Sequence, residues 1–185
     1  MSNEQKIWSF LFGKIGNAYG VAGLMGNLNA ESGLRANNLQ NSYEKSLGMT
    51  DEQYTTAVDN GSYTNFTKDG AGYGLAQWTY HTRKAALLAY AKSVGASIGS
   101  LDMQLNFLYK ELSENYKTSV LAVLKSAKSI REASDVVLTK FERPANQSEA
   151  VKIKRAGYGQ TYFDKYAATF GSTAVKCEEG GKHYE

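Results

Sequence analysis

Apolar residues recur at helical spacing along most of the chain, and one polar stretch interrupts them. The first run has an apolar residue at every fourth position: Ile7, Leu11 and Ile15. Just before it, Ser2-x-x-Gln5 has the form of a capping box, which marks the start of a helix. We therefore predict a first amphipathic helix that Gly16 and Gly20 end.

A second helix is predicted from apolar residues at i, i+3, i+4 and i+7: Val21, Leu24, Met25 and Leu28. Its other side carries the small residues Gly23, Gly26 and Ala30, which allow close packing against a neighbour. Gly33 is a natural stop for this helix. One carboxylate, Glu31, therefore lies in the last turn, at the edge of the apolar face.

The chain changes character between Arg35 and Thr79, where Asn, Ser, Thr, Gly and Tyr dominate and NGSYTNF and KDGAGYG are turn signals. We predict loops and a small β-hairpin region here. Helical periodicity returns near Thr82 and continues through Leu101, Leu105, Leu108 and Leu112. Ser129-x-x-Glu132 and Ser148 start two more predicted helices. The pattern favours a mostly α fold of the α+β type.

Composition fits one globular domain, because the chain has 185 residues, of which 42% are hydrophobic and 21% charged. No apolar run approaches the roughly 20 residues of a membrane span, so we expect no membrane insertion. The first residues lack the basic start and apolar stretch of a secretory signal. The net charge of +3 comes from scattered basic residues, and nucleic acid is not an expected partner.

No metal or cofactor site is expected from the sequence. His81, His183 and the single Cys177 lack the spacing of a zinc site, and no Cys–His pair supports a peptidase. Gly72-Tyr-Gly74 is not followed by the third glycine of a nucleotide-binding loop. His81 is instead predicted to lie at a helix start, and the sequence assigns no role to Cys177.

Glu31 lies roughly 70° from the centre of the apolar stripe on a helical wheel. A carboxyl group at this edge is partly desolvated and feels the negative end of the helix dipole, and both effects favour its protonated form. Such a group can serve as a general acid. The alternative is a structural glutamate that accepts hydrogen bonds from backbone amides or pairs with Arg35 or Lys45.

A second motif, Gly72-Tyr-Gly-Leu-Ala-Gln-Trp-Thr79, follows about forty residues later and favours the chemical interpretation. With it, the chain resembles goose-type lysozymes and lytic transglycosylases. It is most similar to the phage tail-tip lysozyme domains of endolysins and tail proteins. The similarity extends from about Ile7 to Ala168 and rests on four segments in order: GLMGNLNAESGL, NNLQNSYE, GYGLAQWT and FERPA.

This resemblance implies a lysozyme-like helical bundle in which the Arg35–Thr79 region forms one wall of a saccharide cleft and the later helices form the other. It implies a muramidase that cuts the β-1,4 bond between N-acetylmuramic acid and N-acetylglucosamine in peptidoglycan. Glu31 matches the family's catalytic acid and would lie at the floor of the cleft. It would protonate the glycosidic oxygen.

The same resemblance implies that the second motif binds substrate. Gly72 and Gly74 would let the backbone approach the sugars, and Gln77 would hydrogen-bond acetamido or hydroxyl groups. Tyr73 and Trp78 would offer flat faces for pyranose stacking. The alternative for both aromatic residues is packing on the helical core.

The sequence does not decide which residue is the second catalytic carboxylate. Goose-type relatives have an Asp shortly before the G-[YF]-G motif that holds the attacking water, and Asp69 precedes Gly72 by three residues, one short of that pattern. Asp69 is therefore either a general base or a turn aspartate in KDG. Glu44 and Asp59 are further candidates.

Three functions stay open from the sequence: a muramidase, a lytic transglycosylase that leaves 1,6-anhydromuramic ends, and a catalytically silent peptidoglycan-binding module. We expect a monomeric domain over residues 1–171, with residues 172–185 as a tail or linker remnant to a second cell-wall-degrading domain. Without a signal peptide, we expect the protein to reach the cell wall by release from the host cytoplasm or on a virion.

Overall fold

The computed structural model describes residues 1–170, and these are mostly α-helical, which confirms the predicted fold class. Cys177, His183 and the predicted tail lie outside the described residues. The α-helices are α1 (Asn3–Ile15), α2 (Ala18–Ser32), α3 (Asn41–Leu47), α4 (Asp51–Asp59), α5 (His81–Ser93), α6 (Leu101–Glu114), α7 (Ala122–Ser126), α8 (Ile130–Val136) and α9 (Glu149–Phe170). Two π-helical segments accompany them, Lys117–Leu121 and Val137–Glu142. None of the helices within residues 1–170 is long and apolar enough to cross a bilayer.

The chain forms two compact units, and the boundaries between them fall within α2 and α6. The first unit consists of Met1–Ala30 and the chain from Leu112 onward, and the second is Glu31–Glu111. The prediction of one domain over residues 1–171 stays a prediction.

In the first unit, the start of the chain folds as its pattern predicts. Ser2 and Gln5 form a complete capping box, and the left-handed Gly16 ends α1. The prediction that Gly20 also ends this helix is wrong, because Gly20 lies inside α2 and faces the backbone of Leu124. The apolar residues of both helices are buried in the core.

Small residues on α2 allow close packing, as the sequence predicts. A Cβ atom on Gly23 would overlap Ala133, and one on Gly26 would overlap the backbone of α9 at Arg155. A buried polar contact lies next to Gly26, at Asn27. The Asn27 amide donates to the Ser134 carbonyl oxygen at 3.1 Å and accepts from the Arg155 guanidinium at 3.0 Å.

In the second unit, the polar stretch is not a β-hairpin region but contains α3 and α4. Thr50-x-x-Gln53 forms a capping box that starts α4, and this signal is readable in the sequence although it was missed. The only bridge pairs among the described residues are Leu39 with Tyr73 and Tyr73 with Trp78. Helix α5 begins at His81, as predicted.

Candidate functional site

Glu31 lies in the last turn of α2 and its residue is half-buried. The helix ends directly after it, because Gly33 and Leu34 both adopt left-handed backbone with φ of 62°. Leu34 tolerates this conformation with its side chain buried. The chain therefore turns sharply just beyond Glu31.

A hydrogen bond joins the end of α2 to the second motif. The buried hydroxyl of Ser32 donates to the carbonyl oxygen of Leu75 at 2.8 Å. The two segments that sequence similarity singled out, ESG and GYGLAQWT, are thus in direct contact through residues 32 and 75. This bond fixes the backbone next to Glu31 relative to the loop over residues 72–79.

The NNLQ segment pairs with the same loop. Gly74 N–H donates to the Asn38 carbonyl at 2.9 Å, and Gln40 N–H donates to the Gly72 carbonyl at 2.8 Å. The Gln40 side chain completes the pairing, since its Oε1 accepts from Gly72 N–H at 2.9 Å. Three of the four segments in the resemblance therefore form one connected structure.

Gln104 on α6 also binds the loop over residues 72–79, and it was not predicted from the sequence. Its amide is fully buried, accepts from Leu75 N–H at 2.9 Å and donates to the carbonyls of Ala36 and Ile98, both at 2.6 Å. The available signal was a glutamine on the apolar face of a helix, beside Leu105. A buried amide in such a position must find partners.

Gly74 is needed for packing in the loop itself. Its backbone is left-handed, with φ of 81°, and a Cβ atom there would lie 2.7 Å from the Gln104 side chain. Gly72 likewise faces protein, since a Cβ atom on it would lie 2.8 Å from Oε1 of Gln77. Both glycines therefore make room for side-chain amides.

Gln77 stabilises the loop over residues 72–79 through hydrogen bonds. It has left-handed backbone with φ of 49°, and its side-chain amide donates to the carbonyls of Asn38 at 2.9 Å and Gly74 at 3.1 Å. The residue is half-buried. Its amide NH₂ group is thus occupied within the protein, and a sugar would contact Gln77 through its remaining surface.

Tyr73 and Trp78 are fully buried, and this corrects the expectation that their rings stack on sugars. The Tyr73 ring packs at 5.5 Å from the Tyr54 ring. Trp78 packs edge-on to Phe107, and its indole N–H donates to Glu111 at 2.7 Å. A ring without an exposed face cannot stack on a pyranose, so the packing alternative holds for both residues.

Asp69 is also buried, with 2% of its side chain exposed, and four groups donate hydrogen bonds to it. Oδ1 accepts from Lys84 Nζ at 2.7 Å and from Ala71 N–H at 2.9 Å. Oδ2 accepts from the hydroxyls of Tyr54 at 2.6 Å and Tyr63 at 2.9 Å. The geometry favours a structural turn aspartate over a general base, because both oxygens are occupied.

Lys84 is the partner that the sequence did not predict. Its ammonium is fully buried and bonds to Asp69, to the Ala71 carbonyl at 2.7 Å and to the Tyr54 hydroxyl at 3.2 Å. Burial lowers the pKa of Lys84, although the hydrogen bond to Asp69 opposes this shift. Burial and the same carboxylate raise the pKa of Tyr54 and raise that of Tyr63 to about 12.

The two further carboxylate candidates also have partners in the second unit. Asp59 accepts from Ile98 N–H at 2.9 Å and from the Ser97 hydroxyl, and so holds a turn. A side-chain hydrogen bond with Asp51 raises the pKa of Glu44. Asp51 itself pairs with Arg35 at 2.7 Å.

Comparison with known proteins gives a family match over most of the chain. The model of a family described as phage tail lysozyme matches residues 2–166, which is most of the chain. This chain belongs to the phage tail lysozyme family. The resemblance drawn from its motifs is thereby confirmed, and membership supports a lysozyme-like action on peptidoglycan.

One relative of this chain is morphogenesis protein 1 of Bacillus phage B103. The two are 26% identical over 183 residues, which cover 96% of this chain and 42% of the relative. The chain thus spans less than half the length of that protein.

Proposed function

We propose that this phage tail lysozyme is a muramidase that cleaves the β-1,4 bond between N-acetylmuramic acid and N-acetylglucosamine, with Glu31 as the general acid. The observation that carries the proposal is the 2.8 Å bond between Ser32 and Leu75. It ties the backbone beside Glu31 to the loop over residues 72–79, so the acid and this loop act as one site. Family membership supports the substrate.

In this mechanism Glu31 donates its proton to the glycosidic oxygen as the muramic sugar moves toward an oxocarbenium ion. Glu31 is half-buried in the last turn of α2, beside the backbone that the Ser32 hydrogen bond holds against the loop. Gln40 and Gln77 at the loop provide amide surface for acetamido and hydroxyl groups of the substrate.

Zymography on purified cell wall tests the role of Glu31. Glu31→Gln removes the proton donor with little change in shape, and we expect clearing activity to fall by about 10² to 10⁴. Glu52→Gln is the matched control, since Glu52 is an exposed residue of α4 in the same unit. Full activity of Glu31→Gln would overturn the assignment, and an inactive parent with intact wall binding would favour a binding module.

A lytic transglycosylase is the second candidate, and the contacts of Asp69 favour it. A transglycosylase needs no activated water, because the muramyl 6-hydroxyl attacks the same carbon. Asp69, with both oxygens occupied, is not arranged to hold such a water. Mass spectrometry of digested peptidoglycan separates the two: reducing muramic ends indicate a hydrolase, and 1,6-anhydromuramic ends indicate a transglycosylase.

The family description also supports delivery on the virion rather than release as an endolysin. Detection of the chain in purified phage particles by mass spectrometry would support this proposal, and its presence only in the lysate would contradict it. A monomeric state and fusion to a second wall-degrading domain stay predictions.

A further inference from the structure

The first unit carries an open depression of about 520 Å³, and all of its lining residues belong to that unit. It is formed by the start of α2, the start of α8 and the middle of α9. Its size falls within the roughly 300–1,000 Å³ typical of small-ligand sites. None of its residues belongs to the site assigned to Glu31.

Tyr19 forms an aromatic wall of this depression. It is 39% exposed, and its ring stacks on the ring of Phe163 at 5.1 Å with planes only 8° apart. The stack holds the ring in one orientation. An exposed aromatic ring supported in this way suits the apolar face of a pyranose.

Polar groups lie around the aromatic wall. Gln160 donates to Asp164 at 2.8 Å, which fixes its amide and offers the amide oxygen as an acceptor. The Ser129 hydroxyl accepts from Glu132 N–H at 3.1 Å and keeps its own proton to donate. Arg131 is paired with Asp135 and Glu149, and Lys128 is an exposed cation of the lining.

Gly157 keeps the depression open. A glycine inside a helix lowers helix stability relative to alanine, so it needs a reason. Gly159 has one, because a Cβ atom there would lie 2.7 Å from the Ala22 carbonyl. Gly157 has no such neighbour within 4 Å, and its missing side chain leaves space in the depression that it lines.

We propose that this depression is a second binding site for the amino-sugar strands of the cell wall. A pyranose stacks on Tyr19, its acetamido and hydroxyl groups bond to Gln160 and Ser129, and Lys128 attracts a carboxylate of the muramic sugar or its peptide. The inference rests on the proposed function in that both sites take the same polymer. Two sites on one polymer raise the effective concentration of substrate without changing the chemistry.

The test uses the ¹⁵N-labelled chain with Glu31→Gln, titrated with tetra-N-acetylchitotetraose and followed by NMR. We expect the amide signal of Gly157 and the side-chain amide of Gln160 to shift on saturation, separately from signals of residues 72–79. Gly157→Leu fills the depression and should abolish the shift of the Gln160 side-chain amide but not the shifts of residues 72–79. Gly13→Leu is the matched control, since Gly13 is an exposed helical glycine with equally open space.

Binding to purified sacculi gives a second readout. Gly157→Leu and Tyr19→Ala should each weaken sedimentation with sacculi by about threefold or more, whereas Gly13→Leu should not. Unchanged Gly157 and Gln160 signals, or binding only to sacculi that retain anionic polyol-phosphate polymers, would overturn the saccharide site. A wrong muramidase assignment would give a different result, namely full turnover of cell wall by the Glu31→Gln variant in zymography.

Discussion

The hydroxyl of Ser32 and the carbonyl oxygen of Leu75 lie 2.8 Å apart, in a buried hydrogen bond that crosses 43 residues of sequence. Ser32 follows the proposed acid directly, and Leu75 is in the middle of the loop over residues 72–79. The position of Glu31 relative to this loop therefore depends on the Ser32 hydroxyl as well as on the backbone of α2.

Ser32→Ala should lower turnover more than it lowers stability. Losing one buried hydrogen bond costs about 1 kcal/mol of the free energy of unfolding. We expect turnover on cell wall to fall by about tenfold, because small displacements of a catalytic group are costly. Ser46→Ala is the control, since the Ser46 hydroxyl also donates to a backbone carbonyl, that of Tyr43, but at an exposed position. Equal turnover of both variants would contradict this prediction.

Asp69→Asn should destabilise the fold rather than remove the activity of a folded protein. The change leaves the buried Lys84 without its carboxylate, which typically costs about 3–5 kcal/mol of the free energy of unfolding. Asp69→Asn with Lys84→Met should recover part of that loss. Urea unfolding measures both, and turnover is compared per folded molecule. Normal stability of Asp69→Asn with a hundredfold loss of turnover would instead support Asp69 as general base.

Stability should fall as the pH rises from about 10 to about 12. Burial raises the pKa of Tyr63, Tyr162 and Tyr166 to about 12, from the usual value near 10. In this window the unfolded chain loses protons that the folded chain keeps, so the free energy of unfolding decreases with pH. The pKa of Lys84 is lowered in the folded chain, so at pH values below the ordinary lysine pKa near 10.4 the unfolded chain binds more protons. In that range this residue makes the free energy of unfolding rise with pH.

Urea unfolding at several pH values between 9 and 12 measures this dependence. Tyr63→Phe should make the decrease shallower, because it removes one of the titrating groups that favour the folded state at pH 10. A free energy of unfolding that stays constant from pH 10 to 12 would contradict the raised pKa values of these tyrosines.

Saccharides should not change the tryptophan fluorescence of the folded protein. The chain has two tryptophans, Trp8 and Trp78, and both are fully buried. We expect blue-shifted emission that acrylamide quenches weakly, and no change on adding tetra-N-acetylchitotetraose. The same chain in urea, with both indoles exposed, is the control. A shift of the emission on adding saccharide that is absent from Trp78→Phe would show instead that Trp78 contacts the saccharide.

Much of the helical fold can be read from local signals. The capping box at Ser2 and the four-residue spacing of apolar positions give α1 without any tertiary information. Helix α4 has an equivalent signal in Thr50-x-x-Gln53, but it lies in a segment rich in Tyr and Thr, which resembles strand composition. The helix forms because Tyr54 and Val58, four residues apart, are both buried.

The site is harder to predict because its side chains have long-range partners. Lys84 has the helical spacing of the buried Leu87 and Ala91 on α5, a signal that is readable in the sequence although it was missed. It did not indicate that Asp69 would be the partner. In the same way, the motif places Tyr73 and Trp78 in the loop over residues 72–79, but only the packing decides that both rings are in the core.

The loop over residues 72–79 is held by the side-chain amides of Gln40, Gln77 and Gln104. Amides carry no charge at any pH that a cell or its surroundings present. These three contacts keep their strength at neutral and at acidic pH, and salt does not screen them as it screens ion pairs. The shape of the loop over residues 72–79 should therefore be the same in solutions that differ widely in pH and ionic strength.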